Sequence, residues 1–159
     1  MRAINVCSKI LAGSVLLCLV AIRLDAGPRA TVVSGSSRTN AAAAGGSFAP
    51  VFSGDGRSIV FVSHAKNLVT NDDLAPCLDV FVYDLASRQT QLVSVNTSGV
   101  GGGNADAGSC SISSNGQRVV FASAANNLVA GDTNAAADIF IRDLATGITR
   151  VICVYAAGA

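Results

Sequence analysis

Apolar residues in this chain gather in short runs separated by clusters of Gly, Ser, Asn and Asp. Ile59-Val60-Phe61-Val62, Val80-Phe81-Val82-Tyr83, Val119-Val120-Phe121-Ala122 and Ile139-Phe140-Ile141 are rich in β-branched and aromatic side chains. Each is too short for a helix and predicts a strand. None alternates cleanly between apolar and polar. A lone antiparallel sheet keeps one face wet and alternates, so these runs predict sheets covered on both sides.

The runs also recur in order. Ser58-Ile59-Val60-Phe61-Val62-Ser63 returns as Arg118-Val119-Val120-Phe121-Ala122-Ser123, at an offset of 60. Asn67-Leu68-Val69 returns as Asn127-Leu128-Val129, and Asp72 as Asp132, at that same offset. After a one-residue deletion, Asp79-Val80-Phe81-Val82-Tyr83-Asp84-Leu85-Ala86 returns as Asp138-Ile139-Phe140-Ile141-Arg142-Asp143-Leu144-Ala145. Val32-Val33-Ser34 matches Leu92-Val93-Ser94. The chain is a tandem repeat.

Each copy predicts four strands: Ala49–Ser53, the Val60-Phe61 run, Val80–Tyr83 and Leu92–Val95, then Ser109–Ser113, the Val120-Phe121 run, Ile139–Arg142 and Val151–Val154. Asp55-Gly56 and Asn115-Gly116 predict two-residue hairpin turns with positive φ angles. Gly101-Gly102-Gly103 opens no helix and precedes no Lys-Ser/Thr, so it is no phosphate loop and predicts a flexible connector. Sheets covered on both faces in a tandem repeat predict an all-β fold of antiparallel four-stranded β-propeller blades. Two blades are complete, over 47–105 and 106–155. One extra outer strand at Thr31–Ser34 lies in the linker 27–46, and 156–159 is a tail.

The blocks Phe52-Ser53-Gly54-Asp55-Gly56-Arg57-Ser58-Ile59-Val60-Phe61 and Gly131-Asp132-Thr133-Asn134, continued by Asp138 to Gly147, resemble the TolB-like β-propeller repeats of bacterial exported proteins, relatives of WD-type propellers. The resemblance spans roughly residues 31 to 154 and implies a fold and an exported location. It implies no single activity, because propellers host binding and enzymatic roles alike. Gly54 departs from the pattern, standing where such repeats often carry Pro or Ala, and Asn67 to Asp79 makes a long loop.

Residues 1–26 stand apart. Arg2 and Lys9 precede the apolar run Ile10–Ile22, which Arg23 closes. That run falls short of the ~20 residues a bilayer core requires and matches a secretory signal cut near Asp25-Ala26-Gly27. Retention as an N-terminal anchor is the alternative. Cleavage leaves no membrane span and shifts the formal net charge from +1 to about −1. No basic block remains to neutralise phosphates, which excludes nucleic acid as a partner. Glu is absent and Lys66 is the only Lys after residue 26, so surface helix formers are scarce. Cys77, Cys110 and Cys153 follow the signal in a compartment that permits disulfides. In an up-and-down blade the loop ending at Cys77 and the connection ending at Cys110 emerge together, so these two are expected to bridge.

Candidate chemistry is sparse. His64 is the only histidine, its repeat partner is Ala124, and no strained nucleophile turn stands near it. Asp84 and Asp143 recur once per blade at a turn, as residues bonding turn amides would. Asp132, Asn134 and Asp138 in one copy, with Asn71, Asp72, Asp73 and Asp79 in the other, offer oxygen ligands of the kind calcium takes. Asx-turns and strand-start caps account for the same residues, and the spacing departs from the EF-hand loop. No organic cofactor is indicated. The reading is an exported, non-catalytic binding or scaffolding module, acting through protein–protein interaction. Its partners are other propeller blades, further copies of itself or another exported protein. The alternative is the propeller portion of a larger exported peptidase-type hydrolase, which a G-x-S-x-G elbow elsewhere in the gene would favour. Two blades are expected to leave an apolar face open at each end, from a truncated gene product or a self-associating one, for instance three chains in a six-bladed ring.

Overall fold

The computed structural model describes residues 33, 35, 43–70, 76–134 and 136–153. Eight strands and no helix occur among them: β1 (Ser47–Phe52), β2 (Ser58–Ser63), β3 (Asp79–Asp84), β4 (Gln89–Leu92), β5 (Ala107–Ile112), β6 (Arg118–Ser123), β7 (Asp138–Asp143) and β8 (Ile148–Cys153). They form two antiparallel sheets, ordered β1-β2-β3-β4 and β5-β6-β7-β8, within the unit Val32–Ala159. These are the two four-stranded blades expected from the repeat. The signal segment 1–26 lies outside the described residues, as does the extra strand Thr31–Ser34 except for Val33, which packs on the core of sheet 1.

The middle strands pair without irregularity, and each places a phenylalanine opposite another. Phe61 faces Phe81 with ring centroids 5.8 Å apart, and Phe121 faces Phe140 at 5.7 Å. Both pairs stack at interplanar angles near 25° (24° and 25°). Offset stacking of this kind adds to the burial of the rings themselves.

Strand alternation gives each sheet two unlike faces. In sheet 1 one face carries Ile59, Phe61, Phe81 and Tyr83, and the other carries Val60, Val62, Val80 and Val82. The valine face of sheet 1 packs on the phenylalanine face of sheet 2, merging Val60, Val62, Val80, Val82 and Val93 with Val119, Phe121, Leu128 and Phe140 in one core. This seam explains the missing alternation of the sequence. Each fully buried side chain of this type contributes roughly 1.5–3 kcal/mol. Backbone bonds cross the seam as well: Asp55 N donates to Ser114 O, Thr97 N to Asn127 O and Ala107 N to Leu78 O, each at 2.8 Å. At Gly54 a Cβ would collide with Ser114 of the other sheet, which accounts for the glycine at that position.

The two outward faces differ. On sheet 1, Phe61 and Phe81 are 3% and 0% exposed. On sheet 2, Val120, Ala122, Ile139 and Ile141 are half-buried, and Ile148 and Ile152 are 48% and 58% exposed. At sheet 2 the apolar face is open as expected, whereas on sheet 1 the middle strands are covered and the exposed apolar side chains, Phe48 at 52%, Val51 at 39% and Phe52 at 62%, lie on β1.

Turns and outer strands also depart from expectation. Only Gly56 and Gly116 of the predicted tight turns have positive φ, both +69°. Gly56 N bonds Ser53 O while Ser53 N bonds Ser58 O, so a four-residue loop is built around an ordinary turn. Asp55 supports it by accepting from Ser53 Oγ and Arg57 N, and Asn115 does so from Ser113 Oγ and Gln117 N. β1 and β5 begin two residues earlier than expected and carry a register break, with Ala49 and Ser109 at positive φ (50° and 44°). β4 lies on Gln89–Leu92 rather than Leu92–Val95, because an outer strand tolerates polar side chains that an apolar-run reading passes over. Gly101, Gly102 and Gly103 are buried, so the connector is packed rather than loose.

Candidate functional site

The oxygen-rich loop before β7 holds Asn134 beside Asp138. Asn134 Nδ2 donates to Asp138 Oδ2 at 3.0 Å, and Asn134 Oδ1 accepts from Ala136 N at 3.0 Å. The amide thus turns an N–H, not an oxygen, toward the carboxylate, and spends its oxygen on the loop. Asp132 Oδ1 is buried with no hydrogen-bond partner among the described residues. Among those residues no cluster of three His, Cys, Asp or Glu is placed to hold a metal ion. In the first copy Asn71, Asp72 and Asp73 lie outside the described residues. Asp79 is fully buried and accepts from Ser94 Oγ.

Asp84 and Asp143 bind their own turns. Asp84 Oδ1 accepts from Ala86 N, Ser87 N and Ser87 Oγ, and Asp143 Oδ1 from Ala145 N, Thr146 N and Thr146 Oγ1. The backbone amides of Ser87 and Thr146 are the largest influence holding these carboxyls below their ordinary range. Such groups are turn locks. His64 is exposed, edge-on to Phe48 with ring centroids 6.3 Å apart.

The Cys77–Cys110 bridge is not formed, because Cys110 carries a free thiol. The two loops do meet: Leu78 N donates to Asp106 Oδ1 and Ala107 N to Leu78 O, each at 2.8 Å. That puts Cys77 beside the start of β5. Cys110 lies three residues further along that strand, inside its irregular Gly108–Ser111 stretch, at ~3.3 Å of rise per residue. It is half-buried against the inter-sheet core, and burial pushes its thiol pKa up.

Two surfaces remain that a ligand or partner would fit. The first is the valine-type face of sheet 2. At one end of it Arg118, Ile141, Asp143, Ile148 and Arg150 line a shallow pocket of about 200 Å³. Arg118 Nε lies 3.5 Å from Asp143 Oδ2, an exposed pair of small energetic weight. The second is a groove of about 470 Å³ along β4, whose lining includes Gln89, Gln91, Thr70, Leu92 and Arg142. Arg142 reaches it from the phenylalanine face of sheet 2. Only the repeat marks this residue in the sequence: the first copy has Tyr83 at that place.

No described protein family and no curated protein matches the chain. A solved structure similar to it is TolB from Acinetobacter baumannii, at 16% identity and a TM-score of 0.43. The match covers 69% of this chain and 21% of that one, so the chain spans about a fifth of its length. The assignment of two propeller-type blades rests on the strand order, pairing and face packing of the chain itself.

Proposed function

We propose that this chain is an exported, non-catalytic propeller segment whose work is to bind protein, through the open face of sheet 2. One observation carries the reading. The valine face of sheet 1 is closed by the phenylalanine face of sheet 2, whereas the equivalent face of sheet 2 is left half-exposed. A face built to the same plan suits the same kind of occupant: another blade, from a further copy or from a partner sheet with an aromatic surface. Contiguous exposed apolar patches commonly mark such sites. The locked turn aspartates and the exposed, unaccompanied His64 support binding over catalysis, and the leader-like residues 1–26 support export.

Fluorescence of a hydrophobic dye tests the reading. The chain is expected to enhance the dye, and Ile139→Asp together with Ile141→Asp is expected to abolish the enhancement while the β-sheet circular dichroism persists. Equal enhancement by the variant, or none by the parent chain, would overturn it.

A further inference from the structure

Arg142 is a buried cation that the seam does not require. The residue is only 9% exposed, and among the described residues its side chain makes one hydrogen bond, from Nη1 to Thr149 Oγ1 at 2.8 Å. Nε is buried with no acceptor, and no ion pair is formed by Arg142 among the described residues. Guanidinium keeps its proton under all ordinary conditions, so neutralisation is not an escape. A buried charge is normally paired or bonded to its full capacity. Sheet 1 fills the equivalent position with Tyr83, which packs in an apolar cluster without any charge. Packing alone therefore does not call for an arginine.

The groove supplies what the arginine lacks, which is room for a counter-ion. Its volume of about 470 Å³ falls within the ~300–1,000 Å³ of small-ligand sites. Gln89 and Gln91 lie on the seam side of β4, set opposite Asp84 and Val82, and offer amide donors. Val69, Leu92 and Val95 add an apolar wall. Beside Nη2 stands Gly147, where even a Cβ would come no nearer than 3.7 Å, so no side chain from that turn is set against the Nη2 end of the guanidinium. From that end the guanidinium can donate a charge-assisted bond to a carboxylate seated in the groove. A single cation with apolar walls matches one negative charge better than a phosphate dianion.

We propose that Arg142 and the groove along β4 form a binding site for a carboxylate carried on a short aliphatic body. The carboxylate is either a free small acid or the C-terminus of an extended peptide. The proposal is independent of the open face of sheet 2, which lies on the opposite side of β7.

The test follows the arginine side-chain Nε–H signals of the ¹⁵N-labelled chain during titration. The probes are isobutyrate, isobutyramide, and N-acetyl-valyl-threonine with either a free or an amidated end. One signal, absent from Arg142→Tyr, is expected to shift and saturate with isobutyrate and with the free dipeptide acid, and to ignore both amides. Arg142→Gln serves in the same comparison if the tyrosine variant fails to fold. A dipeptide acid binding tenfold more tightly than isobutyrate assigns the site to chain ends, and equal affinities assign it to free acids. An unmoved Arg142 signal overturns the proposal. So does a shift shared equally with the amides, or undiminished isobutyrate binding by the variants.

Discussion

Gly102 lies so close to Asp79 that a Cβ built on it would overlap both carboxylate oxygens. The carboxylate is fully buried and held by Ser94. The connector between the sheets therefore runs directly over the start of β3, where only a residue without a side chain fits. Gly102→Ala is expected to destabilise the fold by about 1–3 kcal/mol, the usual range for overpacking. Gly108→Ala, which meets nothing within 4 Å, is the control and should change little. Urea unfolding midpoints at unchanged slope measure both.

Two equivalent turns differ at one backbone position. Arg88 closes the β3–β4 turn at φ 59°, and Gly147 closes the β7–β8 turn at φ 68°. Each donates its N–H to the turn aspartate's carbonyl at 2.9 Å. Left-handed backbone strains a residue bearing Cβ, whereas glycine adopts it freely. Arg88→Gly should stabilise by up to about 1 kcal/mol, the gain being trimmed by glycine's greater freedom when unfolded. Gly147→Ala should destabilise by about 1 kcal/mol. Thermal unfolding of the two variants checks the opposite signs.

The turn aspartates set an acid limit. Asp55, Asp84 and Asp143 are all held below the ordinary 3.8, chiefly by the Ser53 hydroxyl for the first and by turn amides for the others. A carboxyl whose pKa is lower folded than unfolded binds its proton more tightly in the unfolded chain. Its stabilisation is present above the unfolded pKa and is lost as pH falls through the folded one. Stability is thus expected to hold at neutral pH and to decline below about pH 4. Asp84→Asn should flatten that decline by lowering stability near neutrality, and should leave stability at low pH less affected. Denaturation midpoints against pH give the comparison, and the Asn115 turn, which has no carboxyl, contributes no such slope.

Much of this was legible in the chain. The repeat fixed the number of sheets, and the four apolar runs located β2, β3, β6 and β7, because strands buried on both faces have no polar side to blur the signal. Gln89-Thr90-Gln91 was harder to read, since an outer strand needs few apolar residues and the apolar Leu92–Val95 stretch looked the stronger candidate. The cysteine bridge failed by register: the loops meet as expected, but Cys110 sits beyond the meeting point. Arg142 was visible only as a departure from Tyr83 within the repeat. Its significance came from burial and the lack of an acceptor for Nε, neither of which one-dimensional spacing reports.

The two blades stack valine face to phenylalanine face, and among the described residues the valine face of sheet 2 is left open. Sedimentation equilibrium of residues 27–159, alone and with Ile139→Asp and Ile141→Asp combined, tests it most directly. The parent chain is expected to associate in a concentration-dependent way and the variant to sediment as a folded monomer. A parent chain that stays monomeric at every concentration while binding no hydrophobic dye would contradict it.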